Sequence, residues 1–169
     1  MTAANARLLP NLPALETIRR VHVIGICGTA MGSLAAMFAE RGYSVTGSDA
    51  MAYPPMSTWL EERGLGVRMG YDAAHIPSDA DLVVVGNIAR RDNPEVLEAI
   101  RRGTPMLSMP EALRVFFFGE RRVLVVTGTH GKTTTASMAA WMLHRAGLDP
   151  SFFIGGVTGN FGSNYRLGA

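Results

Sequence analysis

Short apolar runs alternate with helix-period patterns from residue 20 onward. "VHVIGI" (21–26) has the composition of a buried strand. Met31, Leu34, Ala35 and Phe38 then recur at i, i+3, i+4 and i+7, one face of a helix that Gly42 can end. "YSVTG" (43–47) predicts a second strand, "MSTWLEERG" (56–64) a short helix after Pro54-Pro55, and "GVRMG" (66–70) a weak third strand. "DLVVVGN" (81–87) is rich in β-branched residues without polar alternation, as in a parallel sheet covered on both faces. "NPEVLEAIRRG" (93–103) predicts a helix with Asn93 as cap, Pro94 at its first position and Gly103 past its end. "TPMLS" and "PEALRVFF" add a further strand and helix. This rhythm predicts an α/β fold with a Rossmann-like, open, doubly wound parallel sheet.

The pattern restarts after "FGERR" (118–122). "VLVVTG" (123–128) predicts a strand, and Ala136, Ala139, Ala140 and Leu143 share a helix face that stops at Gly147. "SFFIGG" (151–156) predicts the next strand. The expected organisation is an N-terminal extension over 1–19, a Rossmann-like domain over 20–118, and over 119–169 the truncated start of a second domain, its first strand-loop-helix-strand. Two strands and one helix are too few to bury a core of their own. The chain is therefore expected to be the front end of a longer protein.

Composition narrows the partners. With 47% hydrophobic and 18% charged residues, the chain is globular in type and not a disordered tail. The net charge is +2, and the arginines fall in scattered pairs (Arg19-Arg20, Arg90-Arg91, Arg101-Arg102, Arg121-Arg122). No basic stripe forms, which argues against a nucleic-acid partner. Cys27 is the single cysteine, so no intrachain disulfide is possible and a reducing compartment is expected. Pro10, Pro13 and Glu16 interrupt the N-terminal stretch where a signal peptide would be apolar. No apolar run reaches the roughly 18 residues of a membrane helix. The expected setting is cytoplasmic, with no membrane partner.

Two glycine-rich loops carry the candidate chemistry. "GICGTAMG", with Gly25, Gly28 and Gly32, lies between a strand and a helix. Glycines there let backbone N–H groups approach a diphosphate at the positive end of the helix. The spacing is not G-x-G-x-x-G, and a tight turn that packs the helix close to the sheet is the competing reading. Asp49 follows the second strand, where an acid can accept from a ribose hydroxyl, or bond its own backbone in "GSDA". Cys27 reads as a small thiol in the loop rather than a nucleophile, since nothing near it in sequence would activate it.

The second loop is "GTHGKTT" (128–134). In the usual G-x-x-x-x-G-K-[ST] the first glycine would fall on Val126, so this loop is a shorter variant. Its second half is intact: Lys132, the only lysine of the chain, can bridge terminal phosphates, and Thr133 can place its hydroxyl on Mg²⁺. His130 can orient the loop or touch a nucleotide. His22, His75 and His144 have no ligand spacing and read as packing or surface residues. Trp59, Trp141 and Phe116 to Phe118 read as core or seam.

Taken together, "VHVIGICGTAMGSLA", "VTGSD", the "GN…NPE" stretch at 86–95, "VTGTHGKTTTASM" and "FFIGG" resemble, in order, the Mur ligases, ATP-dependent amide-forming enzymes of bacterial peptidoglycan metabolism. The likeness covers about residues 20–168, and the shortened P-loop is a feature of that family. Within it, "YPPMST" (53–58) and "GNIARRDNP" (86–94) are similar to the members that join L-Ala-γ-D-Glu-meso-diaminopimelate to UDP-N-acetylmuramate in recycling; members that add L-alanine are the alternative. The resemblance implies that Gly25, Ile26, Cys27, Gly28, Thr29, Ala30, Met31 and Gly32 cradle the diphosphate of UDP-N-acetylmuramate. Ser48 and Asp49 would lie near the uridine, and Asn87 would belong to the same site. Gly128, Thr129, His130, Gly131, Lys132, Thr133 and Thr134 would hold ATP, with Lys132 and Thr133 as catalytic residues and Thr133 on Mg²⁺. The γ-phosphoryl group would pass to the muramoyl carboxylate, and the amine of the murein tripeptide would attack the acyl phosphate. The family's acidic Mg²⁺ ligand and peptide-binding domain would lie after residue 169, so the 169-residue chain is expected to bind the UDP-sugar and to catalyse nothing. A non-catalytic NAD-binding module is the competing class. A transport or partition ATPase is disfavoured by the glycine-rich domain ahead of the loop.

Overall fold

The computed structural model describes residues 12–168; residues 1–11 of the expected N-terminal extension lie outside the described residues. The chain forms two compact units, one up to Arg121 and one from Arg122 onward. The division falls inside "FGERR".

The first unit is a five-stranded parallel sheet in the order β3-β2-β1-β4-β5. Its strands are β1 (Arg20–Ile24), β2 (Ser44–Asp49), β3 (Val67–Met69), β4 (Leu82–Val85) and β5 (Met106–Ser108). The register pairs Ile24 with Ser48 on one side of β1 and with Val85 on the other. Chain order runs outward from β1 to β3 on one side and from β4 to β5 on the other. The order therefore reverses between β1 and β4, the place where such sheets open a crevice at their carboxyl ends.

Helix α1 (Thr29–Glu40) buries Met31, Leu34, Ala35 and Phe38, the face that the i, i+3, i+4, i+7 spacing marks. Phe38 is fully buried, with ring centroids 5.0 Å from Phe116 and 5.1 Å from Phe117. These edge-on contacts give the "VFFF" segment its place in the core. Gly42 takes φ +85 just past the helix, a conformation that favours glycine. Helix α2 (Met56–Glu61) is shorter than the pattern suggests. Helix α3 (Pro94–Arg102) begins where Asn93 Oδ1 accepts from the N–H of Glu95 (2.9 Å) and of Val96 (3.3 Å), and ends at Gly103 with φ +69. Helix α4 (Met109–Leu113) continues as a wider π-type turn over Arg114–Phe118.

The second unit holds helix α5 (Lys132–Arg145) and an antiparallel hairpin of β6 (Phe152–Thr158) and β7 (Ser163–Arg166). Ala140, Phe152 and Ile154 form its small core, with Ala136 and Phe161 packed against them. Leu143, expected on the same face, is exposed. The strand expected over "VLVVTG" is corrected here: residues 123–128 join no ladder among the described residues. Leu124 and Val125 are 72% and 70% exposed. An apolar run becomes a strand only when a neighbour takes its N–H and C=O groups. Here β6 pairs with β7 instead.

Candidate functional site

The crevice between β1 and β4 holds a cleft of about 600 Å³. Its floor is the loop after β1, and how that loop is built decides which groups it presents. Gly25 takes φ +81, and an added Cβ there would meet Ile88 Cγ2 at 2.9 Å. The N–H groups of Gly25 and Ile26 both donate to the Ser48 carbonyl, at 2.8 and 3.1 Å. The Cys27 N–H donates to Asp49 Oδ2 at 2.8 Å, and that of Gly28 to the Gly25 carbonyl at 3.3 Å. Four successive loop donors are thus spent on shaping the turn. The first bond along α1 runs from Gly32 N to the Gly28 carbonyl, 2.8 Å. Thr29, Ala30 and Met31 therefore make the first turn, whose N–H groups have no acceptor within the helix. They carry its positive end toward the cleft.

Of the residues expected to hold the UDP-sugar, Gly25, Cys27, Gly28, Thr29, Ala30, Met31, Asp49 and Asn87 line this cleft. Ile26 and Ser48 are fully buried and Gly32 is enclosed in α1, so these three sit behind the surface. Asp49 is 7% exposed, with one oxygen on the loop, so it works first as a strut for the cradle. Burial, and secondly the Asp49 charge, push the Cys27 thiol up to about 11, which keeps it neutral near pH 7.

Part of the cleft's lining went unread in the sequence: Met51, Tyr53, Pro54, Pro55 and Met56, together with Ile88 and Met109. Tyr53 to Met56 belong to "YPPMST", so the segment that sets this chain apart within the resemblance borders the cleft. Apolar residues in a loop before a short helix gave no periodic signal that could have placed them there.

A second feature was missed. Glu95, on the first turn of α3, is fully buried, and its carboxylate collects four donors. Oε2 accepts from His22 Nε2 (3.2 Å) and Ser48 Oγ (2.5 Å). Oε1 accepts from His75 Nδ1 (3.1 Å) and the Asp72 N–H (3.3 Å). Burial pushes this carboxyl up, but the hydrogen bonds from His22 and Ser48 outweigh it and hold the group below its ordinary value. A polar His22 between Val21 and Val23 was the available clue, because a buried imidazole needs a partner.

In the second unit, Gly128, Thr129, His130, Gly131, Lys132, Thr133 and Thr134 are all exposed around the start of α5. Gly128 has φ +148 and Gly131 φ +76, conformations that turn the loop over the helix end. Lys132 Nζ donates to the carbonyls of Gly128 (2.7 Å) and Thr129 (3.1 Å). The ammonium therefore lies over the loop that would surround a phosphate. The donor set fits a phosphate chain. For a metal, Thr133 would offer one hydroxyl, and among the described residues no group of three or more His, Cys, Asp or Glu side chains could hold an ion.

Comparison with known proteins settles the family. The description "Mur ligase family, catalytic domain" matches residues 20–119, which span the cleft-bearing sheet. The chain belongs to the Mur ligase family. This Mur ligase chain is 50% identical over 149 residues to the UDP-N-acetylmuramate–L-alanyl-γ-D-glutamyl-meso-2,6-diaminoheptandioate ligase of Escherichia coli, covering 88% of the chain and 33% of that relative. It is 43% identical over 168 residues to the UDP-N-acetylmuramate–L-alanine ligase of an Arthrobacter species, covering 99% of the chain and 35% of that relative. Among solved structures it resembles the Neisseria meningitides UDP-N-acetylmuramate:L-alanyl-γ-D-glutamyl-meso-diaminopimelate ligase, with TM-score 0.84 and 49% identity over 89% of this chain and 47% of that one. The chain spans about a third of the length of the curated relatives it matches. No helix among the described residues is long and apolar enough to cross a membrane.

Proposed function

We propose that this chain supplies the UDP-N-acetylmuramate cradle and the ATP phosphate loop of an ATP-dependent ligase, which joins L-Ala-γ-D-Glu-meso-diaminopimelate to UDP-N-acetylmuramate in peptidoglycan recycling. The observation that carries the reading is the cleft at the β1–β4 reversal, floored by Gly25, Gly28 and the first turn of α1. The N–H groups of Thr29, Ala30 and Met31 hold the diphosphate, and the positive helix end offsets its charge. Asn87 borders the bound sugar nucleotide. Asp49 keeps the loop in shape, and its Oδ1, which accepts from the Met51 N–H at 3.4 Å, has a further lone pair for a ribose hydroxyl.

Lys132 moves from the Gly128 and Thr129 carbonyls onto the terminal phosphates, and Gly131, Thr133 and Thr134 provide donors at the start of α5. Thr133 gives Mg²⁺ one oxygen, the other ligands coming from elsewhere in the ligase. When bound, ATP would supply the γ-phosphoryl group that activates the muramoyl carboxylate for attack by the peptide amine, with ADP leaving and later phosphate, while Mg²⁺ would offset the phosphate charge. Positioning and charge neutralisation are the protein's share of such chemistry.

L-alanine as acceptor is the second reading, favoured by the 43% identity to an alanine-adding ligase. The tripeptide reading has the higher identity, 50%, and "YPPMST" on the cleft wall. Offered both acceptors at equal concentration, the whole ligase is expected to consume the tripeptide. Preferential formation of UDP-N-acetylmuramoyl-L-alanine would transfer the chain to the other substrate class.

A further inference from the structure

The loop after β1 is held by the Ser48 carbonyl and the Asp49 carboxylate, so its shape is imposed from behind. Ser48 stands at the junction. Its carbonyl receives the N–H groups of Gly25 and Ile26 (2.8 and 3.1 Å), and its hydroxyl donates to Glu95 Oε2 (2.5 Å). The next residue, Asp49, receives the N–H of Cys27 (2.8 Å). Three consecutive loop amides thus hang on the last two residues of β2. Glu95 anchors that strand end to two other elements: β1 through His22, and the turn after β3 through His75 and the Asp72 N–H. His22 is itself braced by Thr46 Oγ1 at 2.8 Å.

A carboxylate suits this task because it only accepts, and its two oxygens have room for about four donors. An amide of the same shape turns one end into a donor and confronts two of the four groups with a like partner. We propose that Glu95 is a positioning residue for the sugar-nucleotide site: acting through Ser48, it holds the Gly25–Cys27 loop in the form that presents the first turn of α1 to a diphosphate. The inference rests on the UDP-sugar reading for its ligand but not for its geometry.

Glu95→Gln and Ser48→Ala test it, each alone and combined, with amide exchange as the first readout. In both single variants the amides of Gly25, Ile26 and Cys27 should exchange at least about 10-fold faster, while those of β3 and α2 keep their wild-type rates. Affinity for UDP-N-acetylmuramate, by calorimetry, should fall about 10-fold in each, and the double variant should be no worse than the weaker single, since both cut one link. Uniform acceleration across the first unit, unchanged loop amides, or additive losses of affinity would overturn the proposal. Should Glu95→Gln not fold, Ser48→Ala decides alone. If the wild-type chain binds no UDP-sugar, the functional reading fails, and the exchange rates still judge the positioning role.

Discussion

Gly86→Ala is expected to lower the urea midpoint of the first unit by the equivalent of about 3 kcal/mol, with Gly47→Ala close behind. At Gly86 an added Cβ would sit 2.8 Å from the Ile24 carbonyl oxygen and 3.3 Å from Met31 Cγ. At Gly47 it would sit 2.9 Å from the Val23 carbonyl and 2.5 Å from Ile26 Cδ1. Carbonyls in the centre of a parallel sheet cannot swing aside, so the backbone must shift. The Gly86 N–H also donates to Ile24 O at 2.9 Å, and a shift strains that bond. Against a typical domain stability of roughly 5–15 kcal/mol, such a loss is severe. Gly66→Ala is the control: nothing lies within 4 Å of its Cβ, and the change should stay within about 0.5 kcal/mol. Wild-type stability in Gly86→Ala would show that β1, β4 and α1 do not meet as described.

Lys132→Ala should do the opposite, sparing the fold and removing the chemistry. The side chain is exposed and bonds only two loop carbonyls, so unfolding of this chain should not move measurably. ATP-dependent amide formation by the whole ligase should fall by about 10²–10³-fold, the usual loss when one donor to developing charge is removed. Lys132→Arg should not restore it, because a planar guanidinium cannot replace a compact ammonium inside a tight loop. A ligase carrying Lys132→Ala with wild-type turnover would remove the phosphate role from this loop.

The parts legible in the sequence share one property: their signal is local. Met31, Leu34, Ala35 and Phe38 announce α1 by spacing alone, and Asn93, Pro94 and Gly103 announce both ends of α3. The glycine loop was readable because a strand and a helix flank it within a few residues. Glu95 was not readable, for its partners lie 73, 47 and 20 residues away, and only the sheet order brings them together. The loop carrying Tyr53 has no period to read. "VLVVTG" erred in the other direction, since β-branched content states a preference and a ladder needs a partner. Ser48 shows the same limit at one position: its place beside Asp49 was legible, while strand alternation turns its side chain away from the cleft toward Glu95, a partner 47 residues away.

The central claim is that the cleft at the β1–β4 reversal receives a UDP-sugar. Titrating UDP-N-acetylmuramate into the isotope-labelled chain, followed by amide chemical shifts, tests it most directly. Saturable shifts should be largest at Thr29, Ala30 and Met31, smaller at Asp49 and Asn87, and unaffected by excess NAD. Saturation of the same amides by NAD, with UDP-N-acetylmuramate leaving them unmoved, would contradict the account.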